Sequence, residues 1–325
     1  MNKFNSSKKP LVWFSALLLT AAVAGCGGQD PILGGGAGAG VTTTTGPAGV
    51  TAANILKSAS TFGIAATAGI TNTNTLPLTT INGDVVLDPT LTCNGTAVPG
   101  ATAGSGSAGF GQCNSTTPTS VPILNGTVYI TGDTPTAGVV ADLKSAFLQI
   151  TPPAGPPAAG SLGGATNLPA GTTLGAVSGS AMVVGDNLFY PGVYQSKTSI
   201  MITGDLTLDA QGNPDAVFVF QSSSSVGTAA GGPTPANRTR ILLINGAKAS
   251  NVWWQAGTSA TLGLYSEFQG NILASADITM KTGATSCGRL LAGAFTSGAF
   301  VFDSNVVSVP GQPFAPPAGY STTCQ

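Results

Sequence analysis

Short stretches of the chain alternate apolar and polar positions, the mark of strands with one buried side. In Asp277-Ile278-Thr279-Met280-Lys281 the alternation puts Ile278 and Met280 inside and Asp277, Thr279 and Lys281 outside. In Ser259-Ala260-Thr261-Leu262-Gly263 it puts Ser259, Thr261 and Gly263 on one outer surface. Further strands are predicted over 126–130, 216–221, 239–245 and 299–302. Trp253-Trp254-Gln255-Ala256, Asn271-Ile272-Leu273-Ala274 and Arg289-Leu290-Leu291-Ala292 align at an offset of 18 residues, and Gly270 and Gly288 precede the last two. Short strands and Gly/Ser/Thr corners at such a period suit the coils of a β-solenoid, in which no coil buries its apolar row alone. A β-sandwich also spaces strands at about ten residues, but the fixed 18-residue register favours the solenoid. A second echo sets Gly83-Asp84-Val85-Val86-Leu87-Asp88 against Gly204-Asp205-Leu206-Thr207-Leu208-Asp209.

One segment has a different period. Between Thr136 and Ile150, residues Val139, Val140, Leu143, Ala146, Phe147 and Ile150 recur at spacings of three and four, which predicts an amphipathic helix stopped by Pro152-Pro153. A lone amphipathic helix in a β protein must lay its stripe on a sheet face. The Pro/Gly stretch from Pro152 to Gly175 is expected to be a surface loop. At the start, Lys3, Lys8 and Lys9 precede an apolar run from Leu11 to Val23, the layout of a secretory signal too short for a membrane span.

Composition narrows the chemistry. Only 7% of the residues are charged, where about 25% is usual, and Lys plus Arg (11) nearly balance Asp plus Glu (12). No field exists to attract phosphates, so nucleic acid is not an expected partner. Histidine is absent, which removes His-dependent triads and His-ligated zinc. The acidic residues stand singly apart from loose pairs such as Asp84/Asp88 and Asp205/Asp209. They offer neither clustered carboxylates nor a calcium cage with a base. The expectation is a non-enzymatic protein without cofactor, metal or small-molecule substrate. Asp84 and Asp205 read as turn-holding residues, and Arg238, Arg240 and Arg289 as solvated or loop-pairing charges. Of Trp253 and Trp254, which alternate sides, one reads as core and the other as a possible sugar-stacking platform. Of the five cysteines, Cys93, Cys113, Cys287 and Cys324 form an even set suited to two disulfides in an exported protein. Three connectivities are open; Cys93–Cys113, closing a Gly/Ser/Thr-rich loop, and Cys287–Cys324, pinning the tail, are favoured.

Two resemblances add to this reading. Val23-Ala24-Gly25-Cys26 resembles a bacterial lipobox, which implies that residues 1–25 are a lipoprotein signal peptide and that Cys26 carries lipid. Residues 26–50, rich in Gly, Ala and Thr, would be a flexible tether. The expected location is the bacterial cell envelope, lipid-anchored at the outer membrane, or outside the cell after release. From about Ala53 to Val309 the order of segments resembles the microbial ice-binding protein family. The matching strings include Ile81-Asn82-Gly83-Asp84, Pro191-Gly192-Val193-Tyr194, Leu206-Thr207-Leu208-Asp209-Ala210-Gln211-Gly212-Asn213-Pro214-Asp215, and Ile244-Asn245-Gly246-Ala247. The resemblance implies a mainly β domain over 51–310, a right-handed discontinuous β-solenoid of triangular cross-section with the helix alongside and an N-terminal coil beside a C-terminal one. Residues 311–325 remain as a tail.

The same resemblance implies ice as a partner. The physical requirement is a flat, rigid, weakly polar face, and Thr suits it: a methyl excludes bulk water, a hydroxyl anchors ordered water, and χ1 is stiff. The family's Thr-Ala/Gly-x-Thr/Asn motif resembles Thr131-Gly132-Asp133-Thr134 and Thr282-Gly283-Ala284-Thr285, making Thr131, Thr134, Thr282 and Thr285 candidates. Ser259 and Thr261 join them on strand alternation. The charged strand Asp277–Lys281, one 18-residue offset away, would spoil the face at that point, so the binding surface is expected elsewhere, over corners or N-terminal coils. The alternative function is a cell-surface adhesion or structural solenoid module without ice activity.

Overall fold

The computed structural model describes residues 50–73, 76–90, 92–93, 96–97, 122–151, 165–321 and 323–325. The chain winds as a solenoid whose coils each pass through three parallel sheets. From one end of the stack, the first sheet contains Thr166–Asn167, Gly192–Ser196, Phe218–Ser222, Val252–Ala256, Asn271–Ala274 and Leu290–Leu291. The second contains Thr172–Leu174, Ile200–Ile202, Val226–Thr228, Ala260–Leu262, Ile278–Met280 and Phe300–Phe302. The third contains Leu188–Phe189, Asp205–Asp209, Arg240–Ile244, Glu267–Gln269, Thr285–Cys287 and Val306–Ser308.

The predicted 18-residue period is literal in the middle of the stack: Trp254 pairs with Ile272, Ile272 with Leu290, and Ala260 with Ile278. Elsewhere corner loops of unequal length stretch the offset, as in Phe218 opposite Val252. The stack is discontinuous. Ile64 of Phe62–Ala66 pairs with Leu290, Ile70 with Phe300, and Thr80 with Val306, so an N-terminal coil continues the stack beyond the last C-terminal one. A second N-terminal coil follows through Asp84–Leu87, Thr92–Cys93 and Ile123–Asn125, and Val128–Ile130 ends the first sheet. The Asp84–Asp88 and Asp205–Asp209 strings are not equivalent positions, because 84–87 lies in the first sheet and 205–209 in the third. That echo reflects a shared preference for a Gly-Asp corner before a strand, nothing more.

Inside the coils the inward rows interdigitate as one core containing Ile64, Val85, Leu206, Phe220, Trp254, Phe268, Ile272, Met280 and Phe302. Aromatic rings stack through its centre. Phe220 lies 4.2 Å from Trp254 with planes 10° apart, and Trp254 lies 5.5 Å from Phe268. Tyr194, packed on Phe220 at 5.2 Å, has its hydroxyl pushed up to about 12 by burial. The repeated corner glycine also has a steric cause. Gly288 holds φ at +143°, and a Cβ there would stand 2.0 Å from the carbonyl oxygen of Gly270 one coil below.

The predicted helix runs Val139–Ile150, preceded by a single 3-10 turn at Thr134–Thr136; we call it α2, and α1 is the short helix Ala52–Leu56. Val139, Leu143, Ala146, Phe147 and Ile150 are buried against Val219, Trp253, Leu273 and Leu291 on the outer side of the first sheet. Val140, at 37% exposure, falls off the stripe. Gln221 donates its side-chain amide to the carbonyl of Ile150 at 2.6 Å, satisfying one of the helix's open C-terminal acceptors. Asp142 accepts from the backbone N–H of Ser58 at 3.2 Å, tying α2 to the segment after α1. Trp253 and Trp254 are both fully buried, Trp254 within the coils and Trp253 under the helix layer, so neither is a sugar platform. The expected loop Pro152–Gly175 is shorter than read. Residues 152–164, with the two stop prolines, lie outside the described residues, whereas Thr166–Asn167 and Thr172–Leu174 are the first strands of the end coil. Thr and Gly there resemble loop composition, but strand pairing with Gly192–Ser196 and Ile200–Ile202 overrides it.

Candidate functional site

Two of the three faces are covered. The first carries the helix layer just described. The third carries the C-terminal tail. Cys324 is disulfide-bonded to Cys287 on the strand Thr285–Cys287, as expected, with Cα atoms 5.3 Å apart. Gln325 accepts from the N–H of Ser250, Tyr320 donates to the carbonyl of Gly283, and Ser321 donates its N–H to Glu267. Beneath the tail, Arg238 bonds Glu267 at 3.0 Å, also donates to the carbonyl of Gly319, and places its guanidinium 3.5 Å from the Tyr320 ring centre. Burial is the chief cause of the raised pKa of Tyr320. Beside this pair Arg240 reaches Asp205 through two nitrogens at 2.7 and 2.8 Å, which raises the Arg240 pKa further. The third face is therefore where the charges pair off. Arg238 and Arg240 are paired groups, not solvated ones, and the Asp205 carboxylate, read from sequence as holding a turn, holds Arg240 with both oxygens. Arg289, whose pKa burial lowers, donates to the carbonyl of Ser60. Asp84, read as a turn-holding residue, instead accepts from the N–H of Thr127 at 2.9 Å, a bond between coils and not within its own turn.

The second face carries neither helix nor tail among the described residues. Strand pairing builds its central outward row without ambiguity. Thr173 faces Met201, Met201 faces Gly227, Gly227 faces Thr261, Thr261 faces Thr279, Thr279 faces Val301, and Val301 faces Thr71. Adjacent strands in such a sheet lie about 4.8 Å apart, so the row is a regular ladder. Two residues before this row stand Gly171, Ser199, Ser225, Ser259, Asp277, Ala299 and Gly69. The carbonyls of Ser225, Ser259, Asp277, Ala299 and Gly69 each accept a backbone N–H from the adjoining strand, which fixes that row. Two residues after the central row stand Gly175, Thr203, Ala229, Gly263, Lys281, Asp303 and Thr73.

Charge divides this face. The four strand segments 171–175, 199–203, 225–229 and 259–263 present no charged side chain. The next strand brings Asp277 and Lys281 outward, as its alternation predicts, and the one after brings Asp303. Asp277 accepts the N–H of Ala299 at 2.7 Å; Asp303 accepts the hydroxyls of Thr73 at 2.5 Å and of Thr282. Lys197 stands on the corner before Ile200–Ile202, off the three rows. Thr173, Met201 and Thr261 are exposed, while Gly227 is buried flush with the backbone.

The six candidate positions do not form one site. Ser259 and Thr261 lie on the charge-free part of the second face, Thr261 in its central row. Thr285 is 3% exposed in the third sheet, and Thr282 is half-buried with its hydroxyl on Asp303. Thr131 is exposed at the other end of the stack, its hydroxyl on Asp88 at 2.5 Å, and Thr134 is exposed in the turn leading to α2. The Thr-Gly-x-Thr strings are thus corners of different coils. Sequence reasoning missed Thr71, Thr173, Ser199, Met201, Thr203, Ser225 and Gly227, because their coil offsets (28, 26 and 34 residues along the first three steps) follow no fixed period. Cys93 is disulfide-bonded, whereas Cys113 and the lipidation candidate Cys26 lie outside the described residues. Among the described residues no cluster of acidic or Cys side chains could hold a metal, and no helix is long and apolar enough to cross a membrane.

A three-faced discontinuous solenoid with a helix on one face and one charge-poor ladder left bare defines a class of surface-recognition β protein. Within that class the chain belongs to the ice-binding-like family, whose pattern matches residues 64–307. The ice-binding protein of Nostoc sp. (strain HG1) is 33% identical over 256 residues, 78% of this chain and 74% of that one. The crystal structure of an ice-binding protein from the Antarctic ascomycete Antarctomyces psychrotrophicus superposes with a TM-score of 0.55 at 31% identity, covering 78% of this chain and 96% of that one. An ice-binding protein from an Antarctic biological consortium gives 0.57 at 29% identity, covering 82% and 93%.

Proposed function

We propose that this protein binds ice through the charge-free part of its second face and so shapes ice crystals and slows their recrystallisation. The observation that carries this reading is the coincidence of two facts. This face alone of the three bears neither helix nor tail among the described residues, and four successive strands of it present only Thr, Ser, Gly, Ala and Met. Ordered water needs hydroxyls held at a lattice spacing with apolar groups between them; parallel pairing fixes the spacing, and the buried core fixes the rigidity. A charged side chain holds its own hydration shell, so Asp277 and Lys281 bound the area. The relatives from Nostoc and Antarctomyces psychrotrophicus, both ice-binding proteins, support the same reading. No catalytic step enters it.

Recrystallisation of a frozen sucrose solution tests the proposal. Folded protein at micromolar concentration is expected to keep ice grains small and to give faceted single crystals. Coarsening equal to that with an inert protein would refute it and leave the adhesion reading in front.

We propose further that the domain is carried on the bacterial envelope by lipid at Cys26, through the tether 26–50. This rests on the basic, apolar and Ala-Gly-Cys run at the N-terminus. Mass spectrometry of the membrane fraction is expected to find an acylated N-terminal Cys26, and Cys26→Ser is expected to release the protein. An unmodified protein in the soluble fraction would refute the anchor.

A further inference from the structure

The central row of the second face is interrupted where Thr gives way to Met201 and Gly227. The two substitutions belong together. A Cβ built on Gly227 would lie 3.4 Å from the Met201 methyl carbon and 3.5 Å from its sulfur. The thioether therefore lies down across the notch that glycine leaves on the next strand. Met201 is 41% exposed even so, and among the described residues neither helix nor tail lies over the face there. One side chain thus tiles two steps of the ladder with apolar surface, and its sulfur forms part of that surface.

We propose that Met201 is an oxidation site that switches the ice-binding face off; the inference rests on the reading of that face as the ice-binding one. The reaction is oxygen transfer from a peroxide. A lone pair of the thioether sulfur attacks the O–O bond, an S–O bond forms as O–O breaks, and water leaves when hydrogen peroxide is the oxidant. Sulfur is oxidised by two electrons and the peroxide is reduced. The product is a polar, chiral sulfoxide in place of a flexible apolar chain. It puts a strong acceptor, with its own bound water, in the middle of the row between Thr173 and Thr261. It also enlarges the group that must fit over Gly227. Among the described residues the other two methionines separate cleanly: Met280 is fully buried inside the coils, and Met182, 59% exposed, sits in the end-coil loop before Leu188–Phe189, outside the face.

The test is hydrogen peroxide treatment of the whole chain, with peptide mass spectrometry to count oxygen added at each methionine and recrystallisation inhibition as the readout. Oxidation is expected at Met201 and Met182 but not Met280. The protein concentration needed for a given inhibition is expected to rise about tenfold or more once Met201 is the sulfoxide. Met182→Leu should remain sensitive. Met201→Leu, compared with itself before and after treatment, should lose no further activity to peroxide, because no oxidisable sulfur remains at that position. Unchanged activity in protein shown to carry the Met201 sulfoxide would overturn the switch, as would equal loss in Met201→Leu. Untreated protein with no ice activity would instead sink the reading of the face itself.

Discussion

At the residue scale the second face turns on which side chains occupy three outward rows. Thr261 was legible in the sequence because its strand alternates cleanly and lies one 18-residue step from a second alternating strand. Thr173 and Met201 were not legible: corners of unequal length separate their strands, and only pairing in space sets them in one row with Thr261. The same logic explains why the two Thr-Gly-x-Thr strings do not gather on one face. Each Gly supplies a turn in a different coil, and Thr285, which opens the strand after its turn, ends at 3% exposure in the third sheet. The charged strand gives a gain-of-function prediction. Asp277→Ser with Lys281→Thr would extend the charge-free ladder from four strands to five. Thermal hysteresis measured by nanolitre osmometry is expected to rise about twofold at equal concentration, since the rigid contact area grows. A fall would mean that those charges contact ice productively. The four charge-free strand segments also contain no titratable side chain. Ice activity is accordingly expected to stay constant between about pH 5 and 9, because histidine is absent from the chain and ordinary carboxylates and lysines change charge outside that window.

At the element scale the helix and the coils report different parts of the physics. Helix α2 was readable nearly to the residue, since a 3.6-residue stripe depends only on local sequence. Its partner surface was not, because Val219, Trp253, Leu273 and Leu291 come from four separate coils. Phe147, 5% exposed, fills the layer between helix and sheet. Phe147→Ala is expected to lower stability by about 3–5 kcal/mol in urea melts, from lost transfer energy plus the cavity. The coils beneath α2 are closed by their own ladders, so the folded fraction is expected to keep its ice activity. Loss of activity in protein shown to be folded would mean that the helix layer sets the flatness of the opposite face.

At the scale of the whole molecule, and among the described residues, a helix layer covers one face, a pinned tail covers another, and the remaining ladder carries neither. The Cys287–Cys324 disulfide spans a separation of 37 residues, and closing a loop of that length removes about 4 kcal/mol of unfolded-state entropy in the chain-entropy model. Cys324→Ser, which opens this bond and leaves that of Cys93, is expected to lower the melting temperature by several degrees while leaving ice shaping intact below it. Impaired shaping would place the tail in the binding surface. Alkaline stability follows from Tyr194. Its proton is lost near 10 in the unfolded chain and near 12 in the folded one, so the unfolded state binds fewer protons between those values. The contribution of Tyr194 to stability is therefore constant below about pH 10 and declines from there towards about pH 12, which calorimetry across that range would follow. Discontinuity could be anticipated only from resemblance, because no local pattern announces that Ile64 will pair with Leu290.

The central claim is that ice meets one face and no other. The direct measurement is crystal shaping and recrystallisation by the wild type beside two bulky variants, Thr261→Tyr in the central row and Thr131→Tyr on the far corner. All three must be shown to fold alike. Faceted crystals from the wild type and Thr131→Tyr, with most of the activity lost in Thr261→Tyr, is the predicted result. Full activity in Thr261→Tyr, or loss confined to Thr131→Tyr, would contradict the assignment of the face.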